Sequence, residues 1–208
     1  MLEVTQYVGP AFFFGKVAEP TALVVAFWVV FYAWVGSEFW LGYRRRPTAG
    51  ADKKDFGSRF VVIGSVWGTV TAGIGLAFSF PDTAITRGRT TLFIFGLVLM
   101  LAGMALRWYS IRVLGASFTV DVATRPGQEV VESGPYRWVR HPSYTGSLIT
   151  LLGVLLCCLN LASLAAIVIV AAGYAYRIRV EERALAADLG TPYRDYIRRT
   201  KRVIPFLI

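Results

Sequence analysis

The chain's one histidine, His141, stands inside Gly134-Pro-Tyr-Arg-Trp-Val-Arg-His-Pro-Ser-Tyr-Thr-Gly146, where the longest polar loop gives way to thirty uncharged residues, Ser147 to Tyr176. Gly134-Pro135 signals a turn, and Pro142 sits where proline is tolerated, in the first turn of the helix that the apolar run must form. A basic, aromatic, hydrogen-bonding loop is thereby fixed at a membrane boundary. A site joining a water-soluble reagent to a lipid needs that position. Further on, Tyr174, Arg177 and Glu181 are spaced by three and four residues and share one helix face. A plain surface ion pair would explain Arg177 and Glu181, but Glu181, Glu182, Arg140, His141 and Tyr144 are all expected at one depth. Arg107 lies eight residues before Gly115, about 12 Å along a helix axis. An arginine that deep is costly unless it snorkels or faces a polar cavity. Guanidinium groups bind carboxylates bidentately and stay charged, so Arg107 and Arg177 are candidate clamps for an anion. Arg112 is shallower and reads as a snorkelling cation.

The elements that must position these residues are hydrophobic. The 208-residue chain is 55% hydrophobic and 17% charged, too apolar for an ordinary soluble domain. Charge-free stretches run from Thr21 to Ser37, Phe60 to Phe80, Thr91 to Leu106 and Ser147 to Tyr176. Crossing the hydrocarbon takes about 20 helical residues. The pattern predicts an all-α integral membrane protein with five transmembrane helices: Thr21–Leu41, Arg59–Phe80, Thr91–Leu114 and a tight hairpin of Pro142–Leu159 and Leu161–Val180. Asn160 and Ser163 mark the hairpin's middle. Residues 1–20 read as an interfacial lead-in without a cleaved signal, so the whole chain is taken as mature, one domain over 1–208. Within it, 1–106 are the N-terminal helices and 107–208 the catalytic and cofactor-binding part.

Local signals refine this. Glu38 reads as a charge at headgroup level near Arg44-Arg45-Arg46. Gly64-x-x-x-Gly68 with Gly73 and Gly75 predicts close helix approach on the second span. Phe118 to Val122 alternates and could pair with Val130-Val131 as a small hairpin. The last span should continue to a C-cap at Gly190, with Thr191 and Pro192 as N-cap and N1 of a final helix from Tyr193 to about Thr200. An apolar tail, Val203 to Ile208, then returns to the membrane face. Nineteen Lys and Arg flank one side of the membrane and three, Lys16, Arg87 and Arg89, the other. This predicts an outside N-terminus and a cytoplasmic C-terminus, and places the His141 loop and the Glu181 helix together in the cytoplasm. The net charge of +9 is accounted for by the same bias, without nucleic acid. Cys157 and Cys158 are adjacent in an apolar run, so neither a disulfide nor a metal site is expected.

The ordered set Arg140-His-Pro-Ser-Tyr-x-Gly, Arg177-x-x-x-Glu-Glu-x-x-Leu, Gly190-x-x-Tyr193-x-x-Tyr196 and Ile204-Pro205 resembles the isoprenylcysteine carboxyl methyltransferase family and its phospholipid methyltransferase relatives. The resemblance covers roughly Leu106 to Ile208. It implies that S-adenosylmethionine, leaving as S-adenosylhomocysteine, enters a cytoplasmic pocket made by the loop, the Glu-Glu helix and the C-terminal tail. A lipophilic acceptor would enter between helices. By the same resemblance Tyr136, His141, Pro142, Tyr144, Gly146, Glu181 and Glu182 line the cofactor pocket, and Arg107, Arg177 and Glu181 carry catalysis.

The residue types agree. A carboxylate acceptor, with a pKa of about 3.5, is already ionised and needs no base. Tyrosine faces and carboxylates suit a sulfonium. An amine or hydroxyl acceptor would require Glu181 or His141 as proton acceptor. The acceptor therefore stays open among carboxylate, amine and hydroxyl, as does the oligomeric state. Two rival classes remain: an NADPH-dependent reductase resembling the sterol reductases, which favour Asn where this chain has Ser143, and a non-enzymatic membrane scaffold.

Overall fold

A backbone in hydrocarbon must satisfy its polar groups internally, so long uncharged runs have the helix as their one open-chain solution. The computed structural model describes residues 10–13, 20–44, 52–53, 57–115, 118, 123–124 and 129–203. In it the apolar runs become α1 (Thr21–Arg44), α2 (Ser58–Ser79), α3 (Arg89–Leu114), α4 (Pro142–Leu156), the short α5 (Leu161–Leu164) and α6 (Ile167–Asp188). A polar α7 (Thr191–Arg199) follows. Beside the helices stand two two-residue strands, β1 (Asp52–Lys53) and β2 (Ala123–Thr124), paired antiparallel.

Four segments are long and apolar enough to cross a membrane: α1, α2, α3 and the continuous stretch Leu161–Asp188. The chain is a multi-pass integral membrane protein. The expected fifth crossing is shorter than its apolar run suggested. Helix α4 has 15 residues, about 22 Å, because it ends at Leu156 and Cys157 to Leu159 form the turn. Leu159 takes a left-handed φ of 52° with its side chain buried. Asn160 then caps α5 by accepting from Ser163 N and donates to Phe80 O at 2.9 Å. The polar middle of the hairpin is thus its anchor to the turn between α2 and α3.

Helices α3 and α4 meet along a glycine seam spaced by seven residues. A Cβ on Gly103 would lie 2.5 Å from Gly146 O, and one on Gly153 would lie 2.5 Å from Gly96 O. The pairing of Gly96 with Gly153 and Gly103 with Gly146 makes the helices antiparallel, with backbones closer than any side chain allows. The motif expected to do this on α2 does so in part: Gly64 and Gly75 face open space, while a Cβ on Gly73 would collide with the Leu155 side chain. Helix α2 approaches α6 where Gly68 meets Ile169 and where Gly173 receives Ser65, and it meets α5 where Ser163 Oγ donates to Gly73 O at 2.8 Å.

At the hairpin end, Phe27, Phe93 and Met100 are fully buried in one core cluster. Ala11 and Phe12 are buried there too, Phe12 stacked on Phe27 at 4.4 Å, so this part of the lead-in packs inside the bundle. Ala123–Thr124 pair with β1, and the hairpin expected of Phe118 to Val122 with Val130-Val131 falls mostly on residues outside those described. Residues 119–122, the arginines at 45 and 46 and the apolar tail from 204 to 208 lie outside the described residues. The cap of α7 is Gly190, φ 63°, and not Thr191.

Candidate functional site

Gly134, at φ 56°, lets a 3₁₀ turn over Gly134–Arg137 begin against α3. That turn buries Tyr136, whose carbonyl accepts from Tyr196 Oη at 2.7 Å. Burial first, and the Glu181 carboxylate next, hold the Tyr136 phenol above its ordinary pKa. The chain then runs parallel to its own C-terminal segment. Lys201 N donates to Trp138 O, Arg140 N to Lys201 O at 2.7 Å and His141 N to Arg202 O at 2.9 Å. Thr145 Oγ1 adds a bond to Val203 O at 2.7 Å. The strap 200–203 is therefore laid against the loop that holds His141.

Glu182 on α6 fastens this strap to the loop. Its side chain is 10% exposed and accepts from Arg140 Nε at 2.8 Å, His141 Nε2 at 3.3 Å and Arg202 Nε at 3.1 Å. Arg140 also donates to the Ile197 and Thr200 carbonyls at the end of α7. Both Glu182 oxygens are thus engaged by the protein's own cations. Glu182 is thereby the clasp that fastens the strap to the loop.

Glu181, one residue earlier, has a different surrounding. Its side chain is 27% exposed, and Tyr144 Oη donates to its Oε2 at 2.7 Å. Tyr144 Oη accepts in turn from Arg177 Nε at 3.2 Å. The expected link between Arg177 and Glu181 is therefore seen through a phenol. Arg177 is buried, and its Nη1 donates to Ser58 Oγ at 2.6 Å, from the first turn of α2. The rings of His141, Tyr144 and Tyr174 form a stack, with centroids 5.5 Å and 4.9 Å apart.

Arg107 lies near the stack, within electrostatic reach of Tyr144 and Tyr174. Its Nε and Nη2 donate to the two oxygens of Glu38 at 2.5 Å and 2.7 Å, and Nη1 reaches Ser143 O at 3.5 Å. Glu38 is thereby corrected from a headgroup charge to the bidentate partner of a buried arginine. Gly146 lies one turn further along α4, past Ser143. It serves the helix seam, where a Cβ would come within 2.7 Å of Arg107 N. Pro142 is buried at the first position of α4, with His141 as its cap residue. Ser58 and Glu38 were missed as site residues, since nothing local marks a partner 119 or 69 positions away.

The family model that matches the chain is that of the isoprenylcysteine carboxyl methyltransferase family, over residues 96–187. Protein-S-isoprenylcysteine O-methyltransferase B of Arabidopsis thaliana is 34% identical over 116 residues, 54% of this chain and 59% of that one. The enzyme of the same name from Saccharomyces cerevisiae is 31% identical over 137 residues, 63% of this chain and 57% of that one. A solved structure of the eukaryotic intramembrane Ras methyltransferase superposes with a TM-score of 0.53 at 26% identity. It covers 71% of this chain and 52% of that one. The chain thus spans somewhat over half the length of these relatives.

Proposed function

We propose, from the place of residues 96–187 in the isoprenylcysteine carboxyl methyltransferase family, that this membrane protein transfers a methyl group from S-adenosylmethionine to the carboxylate of a lipid-like acceptor, an S-isoprenylcysteine or a similar isoprenoid or fatty acid. One observation carries the reading: the Tyr144 hydroxyl joins Arg177 on one side to Glu181 on the other. A guanidinium suited to an anionic acceptor and a carboxylate suited to a cationic donor thus flank a single phenol.

The donor set fits the cofactor. Glu181 keeps a partly exposed carboxylate for its amino or hydroxyl groups, and the His141–Tyr144–Tyr174 stack offers aromatic faces to a sulfonium. When bound, S-adenosylmethionine would supply an electrophilic methyl for the carboxylate oxygen, with S-adenosylhomocysteine as the leaving group. The protein's part is alignment and exclusion of water. Arg177, fixed by Ser58 and Tyr144, orients the acceptor carboxylate. Glu182 with Arg140 and Arg202 holds the strap that walls the donor side. His141 donates to Glu182 and needs to take no proton, because the acceptor is ionised before it arrives.

In this reading α4 is the fifth crossing, recessed at its first turn so that the loop lies at the depth of Arg107. The charge count puts the N-terminus outside and the site and C-terminus in the cytoplasm. The test is to incubate the protein in liposomes with methyl-labelled S-adenosylmethionine and an N-acylated S-farnesylcysteine. Alkali should release the label as methanol, the mark of a methyl ester. Alkali-stable label would mean an amine or ether product. Binding of a nicotinamide cofactor, with none of S-adenosylhomocysteine, would turn the assignment to a lipid reductase.

A further inference from the structure

The Arg107 fork, ready-made for a carboxylate, is filled by one from the chain itself. Glu38 reaches it from α1, a helix that precedes the residues shared with the methyltransferase family. Resting on the carboxylate-acceptor reading above, we infer that Glu38 is an exchangeable placeholder: it occupies the Arg107 fork until the acceptor's carboxylate takes its place, and so sets the affinity for acidic acceptors.

Three features support exchange over a permanent strut. Arg107 is the fixed partner, its side chain 13% exposed, held in the glycine seam and touching Ser143 O, whereas the Glu38 side chain is 32% exposed. Helix α1 is the loosest of the spans, with 11% of its apolar window buried inside the protein against 28% or more in the others. Glu38 also has somewhere to go, because Arg44 follows it six residues on at the end of α1, about 9 Å along the helix axis. Energetically, a buried guanidinium stripped of its partner is costly, so the empty site needs an internal carboxylate. Replacing one carboxylate by another keeps the local charge constant, and an acceptor lacking the acid cannot make the exchange. Arg107 would then discriminate against methyl ester product, which assists its release.

The test uses the full chain in liposomes, with N-acetyl-S-farnesylcysteine as acceptor and its methyl ester as control. Glu38→Gln keeps the shape and removes the charge. If Glu38 fills the fork nine-tenths of the time, its removal should lower KM for the acid about tenfold, with the gain in KM and none in kcat. Inhibition by the methyl ester should stay as in the wild type. Melting of the variant should be lowered without acceptor and raised more by the acid than wild-type melting is. Glu38→Asp, too short for the same bidentate reach, should shift KM in the same direction by less, and it carries the test if Glu38→Gln does not accumulate folded. An unchanged or increased KM in a folded variant, with wild-type protein active on the acid, would overturn the placeholder and make Glu38 a fixed support. Absence of methyl transfer by the wild type would remove the carboxylate reading, and the placeholder with it.

Discussion

Replacing Glu182 by Gln should unfasten the strap, and the geometry indicates how strongly. The carboxylate accepts three bonds from cationic or ring donors. Arg140 is 7% exposed at the side chain, so its charge-assisted bond belongs near the top of the range of about 1.5–3 kcal/mol. The His141 bond contributes about 1 kcal/mol. Arg202 is half exposed at 49%, and its pair is worth no more than about 1 kcal/mol. Glutamine keeps one acceptor oxygen but turns an amide toward a cation, so the loss is about 3–5 kcal/mol, the cost of breaking a buried pair. Arg202→Ala should cost under about 1 kcal/mol. The assays are unfolding in detergent and binding of S-adenosylhomocysteine. If the strap must close for the donor site to exist, about 3 kcal/mol appears as roughly 100-fold weaker binding. Should Glu182→Gln and Arg202→Ala behave alike in both assays, the burial argument fails and Glu182 is no clasp.

Tyr144→Phe removes a hydroxyl that serves a cation and a carboxylate at once, while leaving its ring in the stack. Methyl transfer should fall about 100-fold, some 3 kcal/mol, with S-adenosylhomocysteine binding much less affected. Arg177→Lys should also impair turnover far more than cofactor binding, since a point charge cannot replace a planar fork, and Ser58→Ala should give a smaller loss of about 3–10-fold through the same arginine. In the seam, Gly103→Leu places atoms where Gly146 O and Thr150 already stand. It should destabilise by at least about 1–3 kcal/mol, whereas Gly64→Ala, with nothing within 4 Å, should leave thermal unfolding unchanged or slightly raised.

How much of this was legible depended on how local the signal was. Helix bounds followed from charge-free runs and end signals, and four of the five came within a few residues because hydrophobicity is read residue by residue. Helix α4 stopped early because turn formation at Cys157 to Leu159 was driven by partners on other elements: Ala11 N and Ile85 N donate to carbonyls of this turn. The glycine seam was overlooked for the same reason. Gly96, Gly103, Gly146 and Gly153 are spaced by seven within each helix, and their meaning lies in the pairing. Gly64-x-x-x-Gly68 matched a familiar local pattern, yet Gly64 faces open space. The His141 loop, Tyr144, Arg177 and Glu181, which the structure brings together, were marked by type and spacing. Their exact roles were not, because Glu182 differs from Glu181 in what the strap and Arg140 bring to it.

The half of the chain without motifs turns out to hold both candidate arginines. Ser58 on α2 bonds Arg177, and Glu38 on α1 bonds Arg107, while the matched family segment begins at residue 96. An arginine recessed from water stays ionised only at the expense of partners, and a hydroxyl and a carboxylate impose different terms. Ser58 is neutral, so it can orient Arg177 without competing for an anion. Glu38 is charged, so it must compete for Arg107. If the acceptor is a carboxylate, these two N-terminal contacts divide the labour: one guanidinium is kept aimed and the other is kept occupied until substrate arrives. Exchanging the N-terminal helices between two such proteins should then alter acceptor affinity while leaving S-adenosylhomocysteine binding in place, since the proposed donor wall consists of residues after Gly134.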